Sequence, residues 1–172
     1  QSGELFRFDL SQANTNKWKS QKLFEATDPS GTAQPISSQP VVANMPRTQG
    51  QRVITFGTGK FFEKGDQSNT QTQSLYGVID DQGSSKNIAR NDLLEQNIIE
   101  DKQKTIAVES DDGEDSSDVS FTLREVSEKP LSDKDKGWVL DLDVIPGERV
   151  VSQPTFPSGA DRSRVRFSTL TT

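Results

Sequence analysis

The feature that most constrains this chain is an internal repeat of strand-like motifs. Residues 36–42 (ISSQPVV) are followed by residues 53–58 (VITFGT), and residues 150–156 (VVSQPTF) are followed by residues 164–169 (RVRFST). Each copy contains a Ser-Gln-Pro or Ser-Ser-Gln-Pro motif, then a turn, then a strand with the pattern Val/Ile-x-Phe-x-Thr. Repeated units of this size bury their apolar faces by stacking on one another. The repeat therefore predicts stacked antiparallel sheets.

A third strand-like element also recurs, at residues 5–10, 75–80 and 138–142, and each instance ends at or near an Asp. Three consecutive antiparallel strands make most of a propeller blade. We therefore predict an all-β fold, a partial or modified β-propeller, with residues 1–172 forming part of a single domain of about two to three blades. Within it, proline is expected at strand margins, Gly57 and Gly59 where backbones approach closely, and the terminal Asp as an acceptor of turn N–H groups.

Single-strand patterns extend this prediction to residues 119–126 and 138–144. Trp138, Leu140, Leu142 and Val144 alternate with Asp141 and Asp143, as in a half-buried strand. Residues 91–101 are open to two interpretations: a short helix from Asp92 to about Asp101 capped by Asn91, or another strand with irregular patterning. Residues 64–74 are predicted to form a polar loop, and residues 109–118 an acidic insertion loop between blades.

Composition limits the chemistry available. The net charge of −6 makes nucleic acid a poor partner, because phosphate backbones would be repelled. The chain has no His and no Cys, which excludes disulfides, His or Cys metal sites and a Ser-His-Asp triad within it. The sequence contains no run of about 18 apolar residues, the length that a membrane-spanning helix needs. The sequence opens within a strand-like run at Gln1, so we expect it to be a piece of a longer protein.

Four motifs could in principle form functional sites, but a structural role is favoured for the first three and for Trp138. Asp111, Asp115 and Asp118 are candidate calcium ligands, but the EF-hand register fails because Gly113 falls at its third position. The run 57–60 (GTGK) lacks the first Gly and the Ser or Thr of a phosphate loop. The paired carboxylates of Asp141 and Asp143 are more consistent with a turn or edge role than with catalysis. Of the two tryptophans, Trp138 is expected in the core, and Trp18 is left open.

The motifs occur in an order that resembles the C-terminal domain of PilY-type (PilC-type) pilus tip proteins. The stretches that carry the resemblance are residues 3–10 (GELFRFDL), 34–40 (QPISSQP), 53–63 (VITFGTGKFFE), 73–80 (QSLYGVID), 92–96 (DLLEQ), 137–142 (GWVLDL) and 147–154 (GERVVSQP). The last two are the most specific, and the match covers nearly the whole chain apart from the loops.

The resemblance implies a modified propeller related to quinoprotein propellers, and a non-enzymatic role in type IV pilus extension, retraction and surface adhesion. It implies minor pilins, other pilus assembly proteins and a host surface as partners, and a location at the bacterial cell surface or pilus tip, the outer membrane or the periplasm. It also implies a regulatory calcium loop just upstream of the strand at residues 4–10. That loop would precede Gln1, so no catalytic, cofactor or metal residue is assigned to this chain.

Two other functions are compatible with a propeller fold. A quinoprotein dehydrogenase would need convergent Asp, Asn, Arg and aromatic residues on the propeller axis, and no such set is evident. A periplasmic propeller scaffold for outer-membrane assembly would share the repeat but not residues 137–154. In addition, the open strand edges of an incomplete propeller are expected to favour self-association.

Overall fold

The chain is built almost entirely from β-strands. The computed structural model describes residues 3–45, 48, 50–82, 87–109, 116–157 and 164–171, without the side chains of 107–109 and 116–117. The strands are β1 (Glu4–Asp9), β2 (Lys19–Glu25), β3 (Val41–Asn44), β4 (Arg52–Gly57), β5 (Gln73–Asp80), β6 (Leu94–Gln96), β7 (Ile98–Glu109), β8 (Ser116–Val126) and β9 (Gly137–Leu142). Helical structure in the described ranges consists of three short 3₁₀ helices, Thr15–Lys17, Lys64–Ser68 and Arg90–Asp92. The all-β prediction is confirmed.

A central five-stranded sheet has the order β3-β4-β5-β9-β6, and β1-β2 and β7-β8 form two-stranded sheets. The pairs β3-β4, β4-β5 and β5-β9 are antiparallel, and β6 runs parallel to β9. The predicted succession of three antiparallel strands is thus confirmed for β3-β4-β5. Pro40 stands immediately before β3, at the strand margin where it was expected.

The strand at residues 138–142 was predicted to be the third strand of a further propeller blade, and this prediction was wrong. It is β9, the neighbour of β5 in the same sheet, with Leu75 opposite Leu140 and Gly77 opposite Trp138. Strands that are packed on both faces show the same apolar and aromatic pattern wherever they lie in the sheet. The pattern therefore could not distinguish a third strand from a fourth.

The second copy of the repeat has the same register as the first. In the first copy Val41 lies opposite Thr55, and in the second Thr155 lies opposite Arg166 at the corresponding positions. The Gly59 N–H donates to the Pro35 carbonyl, and the Leu170 N–H donates to the Arg149 carbonyl, both at 2.8 Å. Residues 149–156 and 165–170 pair only through isolated bridges in the described structure, not as the continuous strands that were predicted.

The short helix that was one interpretation of residues 91–101 is absent, and the strand alternative is correct. Asp92 ends a 3₁₀ helix, and β6 and the start of β7 follow. Leu94 and Gln96 pair in parallel with Trp138 and Leu140 of β9. These long-range hydrogen bonds, together with the β-branched pair at 98–99, outweigh the incomplete helical stripe.

Two apolar clusters lie on opposite faces of the central sheet. The cluster facing β1-β2 contains Leu23, Phe24, Ala26, Phe56, Tyr76, Val78, Ile88, Leu93 and Val139. The cluster on the other face contains Leu75, Leu140, Leu142 and Val150, with Trp138 and Phe167 packed against it. Trp138, which was expected in the core, is half-buried and packs against the edge of this cluster. Trp18 is 47% exposed, and its indole N–H donates to the Gln12 carbonyl at 2.9 Å.

Close approach between layers explains the two glycines at the repeat. A Cβ on Gly57 would lie 2.4 Å from the Val150 side chain, and one on Gly59 would lie 2.5 Å from the Cβ of Arg149. Gly59 also has a φ of +128°, which L-residues rarely adopt. The predicted role of these glycines is therefore confirmed.

The strand-terminal Asp residues differ in what they do. Asp9 accepts the Ser11 N–H at 3.0 Å and Asp80 accepts the Gln82 N–H at 2.9 Å, as predicted for turn acceptors. Asp141 instead accepts bonds from two side chains, those of Arg90 and Ser74. Its different role follows from its position in a fourth strand within the packed sheet.

Candidate interaction site

The β7-β8 hairpin lies between β5 and β9 along the chain, although β5 and β9 are direct neighbours in the central sheet. The hairpin has one polar and one apolar face. Antiparallel partners share a face, so the register assigns the side chains. On the polar face Thr105 and Ser120 are hydrogen-bonded at 2.9 Å, and Gln103 donates to Thr122 at 2.7 Å. The other face carries a row of apolar side chains, Ile106, Val119, Phe121 and Leu123.

This apolar row is open to solvent. Ile106 and Val119, which face each other across the two strands, are each 45% exposed, and Leu123 is 47% exposed. Lys104 lies opposite Phe121 on the same face. Lys102 forms ion pairs there with Glu100 at 3.1 Å and Glu125 at 2.7 Å. A continuous apolar row flanked by charges is typical of a surface that contacts another molecule.

Arg124 attaches the polar face of the hairpin to the rest of the fold. It donates two hydrogen bonds to Asp101, at 2.9 and 3.0 Å, and two to Glu148, at 2.9 and 2.8 Å. Glu148 is 3% exposed and lies directly before the second repeat copy. The hydrogen bonds to Asp101, and to a smaller extent those to Glu148, raise the pKa of Arg124. The hydrogen bonds from Arg124 in turn lower the pKa of Asp101. A two-nitrogen contact with Asp101, and a contact of Nη1 with both Glu148 oxygens, fix the hairpin at its base.

A second set of bonds closes the base of the hairpin. The Ser127 hydroxyl donates to Gln96 at 2.6 Å and accepts the Asn97 N–H at 2.9 Å. The Ser127 N–H donates to the Asn97 carbonyl at 2.8 Å, and the Lys129 ammonium donates to the Glu95 carbonyl at 2.9 Å. The hairpin therefore continues β6 without a free hinge at this point.

The segment predicted as the polar loop 64–74 is held in place. It contains the 3₁₀ helix Lys64–Ser68, and its last residues begin β5. Asp66 is 3% exposed and accepts the N–H groups of Phe62 and Glu63, both at 2.9 Å. The bond from Glu63 is the largest cause of the lowered pKa of Asp66. Arg149 donates to the Asp66 and Asn69 carbonyls, which fastens the helix to the second repeat copy.

The candidate calcium ligands are not brought together in the part of the chain that the structure describes. Asp111 and Asp115 lie outside the described residues, and Asp118 is exposed on β8 opposite Ala107. Among the described residues, no group of three acidic side chains could hold a metal ion. The acidic loop predicted at residues 109–118 is wrong at both ends, because residue 109 ends β7 and residues 116–118 begin β8. Residues 110–115 lie outside the described ranges.

The phosphate-loop and carboxylate-pair motifs are both occupied by structural contacts. The Thr58 and Gly59 N–H groups donate to the Ser74 and Pro35 carbonyls, so neither can hold a phosphate. Lys60 forms ion pairs with Glu63 and, at 3.2 Å, with Asp66. Asp141 is paired with Arg90 at 2.6 Å, whereas Asp143 is exposed. No described helix is long and apolar enough to cross a bilayer.

The apolar row was not predicted from the sequence. The alternation Val119, Phe121, Leu123 was visible in the strand predicted at 119–126. Its partner strand β7 was not, because residues 100–105 are polar or charged. The contact between Arg124 and Glu148 could not be found either, since nothing local marks the two residues as partners.

Comparison with known proteins gives a consistent result. The family model described as the PilY1 beta-propeller domain matches residues 1–111. The type IV pilus biogenesis factor PilY1 of Pseudomonas aeruginosa is 29% identical over an alignment of 175 residues including gaps, and the alignment covers 81% of this chain and 14% of that protein. A PilY1 homolog of Xylella fastidiosa is 34% identical over 167 residues, which cover 92% of this chain and 12% of that protein. The chain therefore spans only a small part of the length of these relatives.

The fold of this chain is also that of a solved structure. The crystal structure of the Pseudomonas aeruginosa PilY1 C-terminal domain superposes with a TM-score of 0.77 at 24% identity, covering 99% of this chain and 39% of that one. The β-propeller fold and the resemblance on which the sequence prediction rests are both confirmed. Because the family model matches more than half of the chain, the chain belongs to the PilY1 β-propeller family.

Proposed function

We propose that this chain is a non-enzymatic part of a type IV pilus biogenesis factor and provides a rigid scaffold for pilus extension, retraction and surface attachment. The relatives are named as pilus biogenesis factors, which supports this role over the quinoprotein dehydrogenase and outer-membrane scaffold alternatives. The proposed partners are minor pilins and other pilus assembly proteins, with a host surface as a further contact. The proposed location is the cell envelope, at the bacterial surface or pilus tip.

Three successive blades are proposed for the scaffold. The strands β1 and β2 correspond to the last two strands of one blade, and β3, β4, β5 and β9 make a complete blade. Residues 149–156 and 165–170 correspond to the first two strands of the next. The Val150 N–H, which donates to the Thr58 carbonyl at 2.9 Å, joins the complete blade to its successor. Stacking of this kind makes a stiff platform.

The observation that carries the proposal is the exposed apolar row on the β7-β8 hairpin. Ile106, Val119 and Leu123 lie on a two-stranded ribbon whose base is fixed by Arg124. Burying such side chains against a partner removes apolar surface from water and favours association. Lys104 on the same face would pair with a carboxylate of that partner. We therefore propose that the hairpin contacts a minor pilin through an apolar strip bordered by an acidic side chain.

A pull-down against purified minor pilins tests both parts of this proposal, with calcium and with chelator. The variant Val119→Thr/Leu123→Thr removes apolar surface and leaves a β-branched residue, which suits a strand, at both positions. The matched control Ser120→Thr/Thr122→Ser changes the polar face of the same strand. We expect the first variant to bind at least about ten times more weakly than the control, since a few apolar side chains carry most of an interface energy.

The outcomes separate the role of the chain from the role of the hairpin. Equal binding by the two variants would show that the hairpin is not the contact. Failure of the unmodified chain to bind any minor pilin, with calcium or with chelator, would contradict the pilin-binding role itself. The resemblance implies calcium for the full-length family member. If a chain extended upstream of Gln1 binds only with calcium, and this chain binds equally with calcium and with chelator, the calcium dependence lies outside these residues.

A further inference from the structure

A polar cleft separates the β1-β2 sheet from the central sheet at one end of the strands. It has a volume of about 550 Å³ and is lined by Arg7, Phe8, Asp9, Lys19, Gln21, Arg52, Asp80 and Gln82. The register places Arg7 opposite Gln21 and Asp9 opposite Lys19 on one wall. Arg52 lies opposite Asp80 on the other wall. The cleft begins where the apolar cluster between the two sheets ends.

Arg7 is held in a fixed orientation inside this cleft. Its Nη1 donates to Asp80 on the facing sheet, and its Nη2 donates to the Gln21 side chain at 2.9 Å. Asp80 is in turn fixed by the Gln82 N–H at 2.9 Å. A guanidinium has five N–H donors, and these contacts use two of them. Among the described residues, nothing uses the remaining Arg7 donors, so a bound ligand could use them without reorganisation.

Gln82 gives the cleft an unusual backbone feature. Its φ is +61°, in the left-handed region that residues other than glycine rarely adopt. Such conformations persist where surrounding contacts hold them, and they are concentrated at ligand sites. Here the bond from the Gln82 N–H to Asp80 holds the turn, and Gln82 lines the cleft.

The cleft is locally cationic in an acidic chain of net charge −6. Three cations line it against two carboxylates, and Arg7 and Asp80 neutralise each other. Arg52 forms no ion pair with another described residue. Lys19 lies near Asp9 but forms no ion pair with it within 4.0 Å. An entering anion would therefore meet positive charge that the described residues leave uncompensated.

We propose that this cleft binds a polyhydroxylated anion of the sugar-acid class. Lys19 and Arg52 would pair with its acidic group, because the Lys19 ammonium supplies positive charge and the Arg52 guanidinium also matches the geometry of carboxylate oxygens. The amide of Gln82 and the carboxylate of Asp9 would exchange hydrogen bonds with its hydroxyl groups. The volume is in the range of small-molecule sites. This inference does not depend on the proposed pilus role.

Binding is tested by NMR titration of the chain with three probes: glucuronate, glucose and inorganic phosphate. We expect glucuronate to shift the Arg7 and Arg52 side-chain resonances saturably, with a dissociation constant on the order of 1 mM. Glucose should bind at least about five times more weakly, because it cannot form the ion pairs. Absence of a saturable shift with glucuronate would overturn the proposal. Phosphate binding as tight as glucuronate binding would overturn the sugar-acid assignment.

Matched variants locate the site. Arg52→Gln removes a cation from the cleft and is expected to weaken glucuronate binding about three- to five-fold. Arg166→Gln removes the same charge from an exposed position in the second repeat copy and should leave binding unchanged. Amide spectra of both variants report whether the fold is retained. Equal weakening by the two variants would show a general charge effect and overturn the assignment of the site.

Discussion

Arg90 and Asp141 form an ion pair with an Nη2–Oδ2 distance of 2.6 Å, and their side chains are only 14% and 12% exposed. Arg90 belongs to the 3₁₀ helix that precedes β6, whereas Asp141 lies in β9. Arg90 Nη1 also donates to the Thr27 carbonyl at 2.8 Å and to the Tyr76 hydroxyl at 3.0 Å. One guanidinium therefore joins the central sheet to the segment that follows β2.

Asp141→Asn is expected to destabilise the chain strongly. The change removes the carboxylate and leaves the Arg90 charge largely buried, which costs about 3 kcal/mol in the free energy of unfolding. Denaturant unfolding measures this cost as a fall in the midpoint. The matched control is Asp143→Asn, two residues along at an exposed position, which should change stability by less than about 0.5 kcal/mol. Similar losses for both variants would contradict a structural role for the pair.

Gly57→Ala should destabilise the packing between the central sheet and the second repeat copy. The new Cβ would lie 2.4 Å from both Cβ and Cγ2 of Val150, which is fully buried. Overpacking of this kind costs about 1–3 kcal/mol. Gly65→Ala is the control, because nothing lies within 4 Å of its added Cβ. Thermal unfolding compares the two, and an unchanged midpoint for Gly57→Ala would show that the layers can separate without cost.

The parts of the fold that the sequence predicted are those set by local patterns. The proline before β3, the glycines at the end of β4 and just after it, and the alternation in β5 mark their own positions, so β3-β4-β5 could be derived. The place of β9 and the strand nature of residues 94–96 depend on pairing with residues far along the chain. The same holds for the apolar row, whose two strands face each other only once the hairpin has formed.

The ion-pair partners of the charged side chains could be predicted from the sequence even less. Arg7 reaches Asp80, Arg90 reaches Asp141, and Arg124 reaches Glu148. These partners are set by the stacking of sheets, and neither member of a pair carries a local signal. Asp141 was expected at an edge because Asp recurs in the motif, yet packing on both faces of β9 placed it in a buried network.

Arg149→Lys is expected to loosen the segment that contains the Lys64–Ser68 helix. Arg149 is 3% exposed and donates to four backbone carbonyls, those of Gly147, Lys60, Asp66 and Asn69. A lysine has no planar fork and cannot satisfy all four, so about 2–3 kcal/mol should be lost.

Hydrogen exchange of the residue 60–70 amides would detect this loosening as faster exchange. Arg166→Lys is the control, since Arg166 is exposed. Unchanged exchange in the Arg149 variant would mean that the four carbonyls find water or other donors equally well.

Tyr76 provides a pH-dependent test of the buried network. Burial is the main cause that raises its pKa to about 12, from an ordinary value of 10.0. Its hydroxyl lies 2.8 Å from the Thr27 carbonyl and 2.6 Å from Gln34 Oε1, and it donates its single proton to one of these two acceptors. Because the folded pKa is above the unfolded one, the stabilisation is complete below pH 10 and is lost as the pH rises towards 12. The loss corresponds to roughly 2–3 kcal/mol.

Tyr76 is the single tyrosine of the chain, so its ionisation can be followed by tyrosinate absorbance without a competing signal. We expect the folded chain to titrate near 12 and the chain in denaturant near 10. Gln34→Ala removes one acceptor and opens the site to water, so it should bring the folded value closer to 10. The control Gln71→Ala changes a glutamine whose side chain bonds Asp28 and Ala33 instead, and should leave the pKa of Tyr76 in place. Titration near 10 in the folded chain would show that water reaches the hydroxyl, and that the network of Arg90, Tyr76 and Asp141 is not closed.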